Sequence, residues 1–204
     1  WHPVNNAHKP RFDRWGNFMP MMTGGRFMAE TLDGYGVTHV FFVPVIIQRA
    51  MLEMEKLGIK RILTHGEKAA AYMADGYARA SHKPGVCAAQ NVGAANLAAG
   101  LQDPFLAGSP VLAITGRKPR LSQHRNSYQE VDHLRPFSAV TKYSVPVDSA
   151  EQLPFLLRQA LREATSGAPG PVHLDLEGTS GNIVMEGENS SKKMNDNSII
   201  EVSK

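Results

Sequence analysis

One stretch decides the fold: Thr64-His65-Gly66-Glu67-Lys68-Ala69-Ala70-Ala71-Tyr72-Met73-Ala74-Asp75-Gly76-Tyr77-Ala78-Arg79. It follows an apolar run over residues 59–63, which predicts the end of a strand, a tight turn and then a helix of small residues. Gly66 can supply the turn, and the alanines favour helix and close packing. Helical spacing predicts a buried face formed by Ala70, Met73, Ala74 and Tyr77.

Glu67 therefore lies at a strand-to-helix junction, in the first turn of the helix. The helix N-terminus favours a charged carboxylate there, whereas an apolar surrounding favours the neutral acid. A Glu held between these two states is suited to general acid or base chemistry. The alternative is that Glu67 only complements the helix dipole, and the stretch by itself leaves both open.

The rest of the chain alternates apolar strands with helices. Strands are predicted at residues 39–43, 59–63, 85–89, 110–115, within 139–147, and at 171–176. Helices are predicted from Thr23 as N-cap to Tyr35, and over 47–57, 94–105 and 149–164, the last with Asp148 as cap. This order predicts an α/β fold of three layers, in which helices cover both faces of a central, mostly parallel sheet of about six strands.

Ligands of such sheets bind at the carboxyl ends of the strands. Pro44, Glu67, the turn after Gln90 and the loop after Gly116 all follow predicted strands. The topology therefore predicts a site at that edge.

Composition sets the wider limits. The chain has 204 residues, a formal charge of +3 and one cysteine, Cys87, which lies in an apolar run and is expected to be buried. The weak, scattered charge gives no support for nucleic-acid binding, and no apolar run approaches the roughly 20 residues of a membrane span. We expect a cytoplasmic protein with an N-terminal arm (1–21), one domain (22–182) and a polar linker or disordered tail (183–204).

Several motifs occur together in order. Glu67 is followed at a fixed spacing by Gly76-Tyr77-Ala78-Arg79, and other matches are Thr23-Gly24-Gly25, Gly36-Val37, Leu112-Ala113-Ile114-Thr115-Gly116, Gln129-Glu130 and Thr165-Ser166-Gly167-Ala168-Pro169-Gly170-Pro171-Val172. Over residues 22–182 this pattern resembles the N-terminal pyrimidine-binding domain of thiamine-diphosphate enzymes of the acetolactate synthase type.

The resemblance implies roles for particular residues. Glu67 matches the catalytic Glu that hydrogen-bonds a ring nitrogen of the cofactor's aminopyrimidine. The other cofactor-binding positions carried over are Pro44, Val92, Gly93, Asn96 and Gln129. No metal ligand is assigned to this chain, because the family binds Mg²⁺ on a separate diphosphate domain through Gly-Asp-Gly followed some tens of residues later by Asn-Asn, and this sequence has no such motif. FAD, which some relatives carry on a central domain, stays open without support.

The sequence departs from the family pattern at two turns. Val92 and Asn91 replace the family's Pro and Gly, so Gly93 could also belong to an ordinary tight turn. The segment 42–46 keeps Pro44 but lacks the family's glycines, so we expect a differently shaped loop.

His65 could move protons or be a solvated turn residue. Further candidates for substrate contact are Tyr128, His124 and His133.

The resemblance implies a lyase or transferase that cleaves or forms C–C bonds of 2-oxo acids or related carbonyl compounds. The chain would be one domain of a longer enzyme or one subunit of a split enzyme, and either a homo-oligomer or a diphosphate-binding partner subunit would complete the site. The alternative is a non-catalytic assembly or regulatory module of the same fold. A dinucleotide-binding enzyme has little support, because no Gly-x-Gly-x-x-Gly follows a strand.

Overall fold

The computed structural model describes residues 22–181 and 183 with their side chains, and outside them only the backbone of short strands. The strands are β1 (Arg11–Phe12), β2 (Phe18–Met19), β3 (Met21–Thr23), β4 (His39–Phe42), β5 (Lys60–Leu63), β6 (Gly85–Gln90), β7 (Val111–Arg117), β8 (Tyr143–Val147), β9 (Val172–Glu177) and β10 (Ile199–Glu201). The α-helices are α1 (Gly24–Gly34), α2 (Gln48–Lys56), α3 (Glu67–Ser81), α4 (Gly93–Ala99), α5 (Gln102–Ala107), α6 (Leu134–Ser138) and α7 (Leu153–Thr165).

A parallel sheet of 6 strands forms the centre, in the order β5-β4-β6-β7-β9-β8. Helices α1, α2 and α7 pack with large aliphatic residues on one face, and α3, α4 and α6 pack on the other. The predicted three-layer α/β fold is therefore confirmed.

The short strands lie outside this sheet. β1 pairs with β2, and β3 pairs with β10, both antiparallel. Most of the predicted arm and tail falls outside the described residues. The division into arm, domain and tail stays a prediction.

Helix α3 lies unusually close to the sheet because small residues line the contact. A Cβ added to Gly85 on β6 would lie 2.1 Å from the Ala74 carbonyl oxygen. The buried face of α3 consists of Ala70, Ala71, Ala74, Asp75 and Ala78. The predicted burial of Met73 is wrong, since this side chain is 43% exposed. Close backbone approach selects alanines, and the larger Met73 is left on the outer face.

Two other local predictions need correction. The helix predicted over 94–105 is divided into α4 and α5, with Gly100 and Leu101 between them. Pro104 has no backbone N–H to continue the helical hydrogen bonds across this break. Asp148 does not cap the following helix, because its carboxylate pairs with Arg117 across the sheet edge and Gln152 is the N-cap residue of α7. The N-cap of α1 is as predicted, with Thr23 Oγ1 accepting from the Arg26 amide at 3.3 Å.

Candidate functional site

Glu67 is the first residue of α3 and is partly buried. The turn before it is fixed by Thr64, whose hydroxyl donates to the Phe42 carbonyl at 3.2 Å and to the Gly66 carbonyl at 3.0 Å. The Thr64 amide also donates to the Phe42 carbonyl at 2.9 Å. These bonds hold the Glu67 turn against the end of β4, at the carboxyl edge of the sheet.

The Glu67 carboxyl group contacts the start of α4. Its Oε2 accepts a hydrogen bond from Asn96 Nδ2 at 3.1 Å. A Cβ added to Gly93 would lie 2.5 Å from Oε1, so only glycine leaves room for the carboxyl group in this position. We call Glu67, Gly93 and Asn96 the Glu67 cluster. The structure thus brings together three of the residues that the sequence predicts as cofactor contacts.

Apolar side chains border the Glu67 cluster. Val92 is 46% exposed just before α4, and Leu63 is 62% exposed at the end of β5. Pro44 is also exposed, in the loop after β4. The region therefore combines one oriented carboxyl group with an exposed apolar rim at the ends of neighbouring strands.

The loop after β4 turns inward beyond Val45. Ile46 and Ile47 are almost completely buried in the core, and the Ile47 amide donates to the Ser180 carbonyl at 2.8 Å. Two bulky side chains therefore fix this loop to the core, which a glycine-rich loop could not do.

The remaining predicted residues are dispersed. Gln129 lies in the long loop after β7, and within the described part of the chain no side-chain hydrogen bond joins it to Glu67 or Asn96. His65 and His124 are exposed, and Tyr128 is 82% exposed. His133 is instead buried, so it does not present an open surface for substrate. Asn91 is also buried, and both polar atoms of its side chain lack hydrogen-bond partners.

A buried polar network runs along β7, β8 and β9, from Ser144 and His173 near the starts of β8 and β9 to Asp175 nearer the carboxyl edge. The Thr115 hydroxyl donates to Asp175 Oδ1 at 2.7 Å, and His133 Nδ1 lies 2.9 Å from the same oxygen. His173 Nε2 lies 2.7 Å from Thr115 Oγ1, and His173 Nδ1 lies 2.8 Å from Ser144 Oγ. We call Ser144, His173, Thr115, Asp175 and His133 the Asp175 network.

The electrostatics of the Asp175 network follow from burial and hydrogen bonding. Burial lowers the pKa of His173 to about 3, so its imidazole is neutral at pH 7. Because the Thr115 hydroxyl donates to Asp175, its oxygen accepts from His173 Nε2–H, and Ser144 donates to Nδ1. Burial acts to raise the pKa of Asp175, but the hydrogen bonds from His133 and Thr115 outweigh it and hold the pKa below its usual range.

Sequence reasoning missed this network as a unit, although a signal was present. Strand β9 alternates apolar residues with His173 and Asp175, which pair in register with Ala113 and Thr115 of β7. Buried polar groups in a central strand need hydrogen-bond partners, so this alternation indicates a polar network within the sheet.

Other expectations concern single residues. Cys87 is completely buried, as predicted, and burial raises the pKa of its thiol. Among the described residues, no group of three or more His, Cys, Asp or Glu side chains is arranged to hold a metal ion. Within the same part of the chain, every helix is too short or too polar to cross a membrane.

Comparison with known protein families identifies the family of this chain independently of the site geometry. Residues 22–135 match the model of the thiamine pyrophosphate enzymes, specifically their N-terminal TPP binding domain. The chain belongs to this family. The match begins just before α1 and ends at the start of α6, so it contains Glu67, Gly93 and Asn96. Membership in the thiamine pyrophosphate family implies thiamine diphosphate as the cofactor.

Relatives of the chain carry the name acetolactate synthase. A probable acetolactate synthase large subunit of Methanocaldococcus jannaschii is 38% identical over 160 residues, which cover 76% of this chain and 27% of that protein. Acetolactate synthase of Arthrospira platensis is 38% identical over 171 residues, covering 81% and 30%. Acetolactate synthase isozyme 2 large subunit of Escherichia coli is 40% identical over 157 residues, covering 76% and 29%. The chain thus spans under a third of the length of these relatives.

Proposed function

We propose that this chain supplies the pyrimidine-binding half of an active site in a thiamine-diphosphate enzyme of the acetolactate synthase type. One observation carries the proposal. The Glu67 carboxyl group stands at the carboxyl edge of the sheet, oriented by Asn96 and seated against the backbone of Gly93.

The residues present fit an aminopyrimidine. Such a ring has a polar edge and two apolar faces, so it needs an oriented carboxyl group bordered by apolar side chains. Glu67 supplies the carboxyl group, and the exposed side chains of Val92 and Pro44 supply apolar surface at adjoining strand ends. The missing side chain of Gly93 keeps the carboxyl group close to the start of α4.

The proposed role of each residue follows from these contacts. Glu67 holds a proton between its carboxyl group and a ring nitrogen of the pyrimidine, and Asn96 keeps the carboxyl group from rotating. Thr64 fixes the turn that carries Glu67. When bound, thiamine diphosphate supplies an electron sink for C–C bond chemistry of carbonyl compounds. Gln129 stays a weaker proposal for a contact on the same side, because the structure offers no contact in its support.

The sequence has no Gly-Asp-Gly motif followed by Asn-Asn, the pattern by which the family holds diphosphate and Mg²⁺, so the proposal requires a second domain or subunit. The outer surface of α3 favours such a partner. Tyr72 and Met73 are each 43% exposed there, and Ala69 and Gly76 extend the same face one turn to either side. An apolar helix face beside a half-formed site is suited to protein contact.

The proposed substrate is a 2-oxo acid or a related carbonyl compound, in line with the names of the relatives. The reaction is C–C bond cleavage or formation, which makes the whole enzyme a lyase or a transferase. Three further expectations of the sequence analysis stay part of the proposal: Mg²⁺ bound outside this chain, FAD left open, and a cytoplasmic location.

The test uses the protein purified at its natural length with any partner that accompanies it. Its native mass shows whether a further domain or a second subunit is present, and pyruvate turnover is then measured with thiamine diphosphate and Mg²⁺. We expect cofactor-dependent turnover that Glu67→Gln reduces by about 100-fold or more. The matched control is Glu151→Gln, because Glu151 is exposed and has no side-chain partner among the described residues.

A second candidate function is a non-catalytic assembly or regulatory module. The observation that favours it is the loop after β4, where Ile46 and Ile47 are locked into the core in place of a glycine-rich segment. Such a module would show no cofactor-dependent turnover with any 2-oxo acid, and Glu67→Gln would leave its assembly with partners unchanged.

A further inference from the structure

A cavity of about 390 Å³ opens at the carboxyl ends of β7, β8 and β9. It lies at the same edge as the Glu67 cluster but farther along the sheet. Gly93 follows β6, which is two strands away from β9, so neighbouring-strand spacing separates the two places by about 10 Å. The basic residues lining the cavity are Arg117, Lys118, Arg120, His124 and His133.

The acidic groups around the cavity already have partners. Glu130 accepts hydrogen bonds from the His124 and Ser127 amides, which hold its pKa below the usual range. Asp148 pairs with Arg117. Asp132 pairs with Arg135 at 3.0 Å. Asp175 belongs to the Asp175 network described above. The carboxylates are therefore occupied within the protein.

Two basic side chains of the same cavity wall are unpaired or only weakly paired. The Lys118 ammonium has no hydrogen bond or ion pair with the described residues. Arg120 Nη1 comes only within 3.7 Å of Asp148, and its side chain is 68% exposed. The rim of the cavity therefore offers cationic hydrogen-bond donors from Lys118 and Arg120 that the protein itself leaves available.

Two buried nitrogen atoms of lining residues are also without hydrogen-bond partners. Arg117 Nε lies 3.8 Å from Asp175 Oδ2, beyond hydrogen-bond distance. His133 Nε2 is unpaired, while the opposite ring nitrogen is held by Asp175. Leaving such buried polar atoms unpaired is costly, and it indicates that the wall is incomplete without another polar group.

We propose that this cavity binds a small-molecule oxyanion, a carboxylate or phosphate group, between Lys118, Arg120 and the Arg117–His133 wall. Charge-assisted hydrogen bonds from Lys and Arg to such groups are stronger than neutral ones. The Asp175 carboxylate lies 3.8 Å from Arg117 Nε and 2.9 Å from His133 Nδ1, so the anion binds beside a wall whose own carboxylate is already engaged. This site is separate from the proposed pyrimidine site.

The test is calorimetric titration of the full-length protein with two probes, inorganic phosphate and malonate. Thiamine diphosphate and Mg²⁺ are kept in excess, so that any diphosphate site is filled before the titration. We expect one probe to bind at one site per chain, and the better probe tells whether the natural ligand carries phosphate or carboxylate. Lys118→Gln should weaken this binding by at least about tenfold, which corresponds to about 1.4 kcal/mol.

Arg125→Gln is the matched control, because Arg125 is exposed in the same loop but does not line the cavity. It should change the dissociation constant less than about twofold, and Arg120→Gln should weaken binding more than this control does. Unfolding midpoints confirm that the variants are folded. The proposal is overturned if neither probe binds, or if Arg125→Gln weakens binding as much as Lys118→Gln, since the latter result indicates general attraction to a basic surface. These results do not depend on turnover, so they are distinct from the test of the proposed function.

Discussion

The Glu67 cluster and the Asp175 network belong to one sheet but are built in opposite ways. The carboxyl group of Glu67 is partly exposed, accepts one side-chain hydrogen bond and rests against a glycine. The carboxyl group of Asp175 is buried, and two donors share its Oδ1. The Glu67 carboxyl group can therefore still accept hydrogen bonds from a ligand, whereas the Asp175 carboxyl group holds β7 and β9 together. Substitutions in the cluster should therefore affect cofactor chemistry, and those in the network should affect stability.

The largest stability effect is expected for Asp175→Ala. Removing this carboxylate leaves Thr115 and His133 without their buried partner, and Arg117 without a compensating charge. We expect a loss of about 3–5 kcal/mol in the free energy of unfolding, measured by urea denaturation. Asp33→Ala is the control, because Asp33 is exposed and its loss should cost less than about 0.5 kcal/mol. Equal losses of unfolding free energy for Asp175→Ala and Asp33→Ala would contradict a stabilising role of the Asp175 network.

The second effect concerns pH. The pKa of His173 is about 3 in the folded protein, against about 6.5 in an unfolded chain, so below pH 6.5 the unfolded chain binds more protons. Stability should therefore fall as pH falls from about 6.5 towards 3, by roughly 2 kcal/mol over the first two units. The lowered pKa of Asp175 adds a further loss below about pH 4.

Unfolding free energies measured at several pH values check this dependence. His173→Leu should flatten the curve between pH 6.5 and 4, whereas the exposed His65→Gln should leave its slope unchanged. A curve for His173→Leu that keeps the full slope would mean that another group is responsible.

A third prediction contrasts two glycines. Gly85→Ala places a methyl group on the Ala74 carbonyl, where backbone must move, and should cost about 1–3 kcal/mol. Gly34→Ala is the matched control, because nothing lies within 4 Å of the added Cβ. It should be neutral or slightly stabilising. Thermal unfolding midpoints of both variants measure the difference, and an equal midpoint would contradict the close packing of α3 on β6.

The smallest stability effect, under about 1 kcal/mol, is expected for Gly93→Ala, even though its Cβ would lie as close as 2.5 Å to another atom. That atom belongs to the flexible Glu67 side chain, which can move away. The displaced carboxyl group should instead weaken thiamine diphosphate binding by about tenfold or more. Tight cofactor binding by Gly93→Ala, measured by fluorescence titration, would contradict the contact proposed for this edge.

Much of this architecture was predictable because its signals are local. Apolar strands such as His39–Phe42 alternate with amphipathic helices, and this alternation specifies the parallel sheet without any long-range information. The strand-to-helix turn at Glu67 and the glycine at position 93 likewise identify neighbouring ends of strands. The contact between Glu67 and Asn96 agrees with their joint assignment to one cofactor site.

The errors arose where distant residues decide the local structure. Met73 has helical spacing suited to burial, but the backbone of β6 approaches α3 so closely at Gly85 that only alanines fit beneath. Asp148 has the chemistry of an N-cap, yet Arg117 at the end of β7, two strands away from β8, takes its carboxylate. The burial of His133 depends on Asp175, which lies 42 residues away in sequence. No window of local sequence contains these pairings.

The central claim is that Glu67 activates thiamine diphosphate. The most direct measurement is the rate at which the thiazolium C2 proton of the bound cofactor exchanges with deuterium, followed by NMR after acid quench, because it needs no knowledge of the substrate. We expect rapid exchange in the natural full-length protein, exchange slowed by about 100-fold or more in Glu67→Gln, and an unchanged rate in Glu151→Gln. Equal exchange rates in the natural protein and in Glu67→Gln would contradict it.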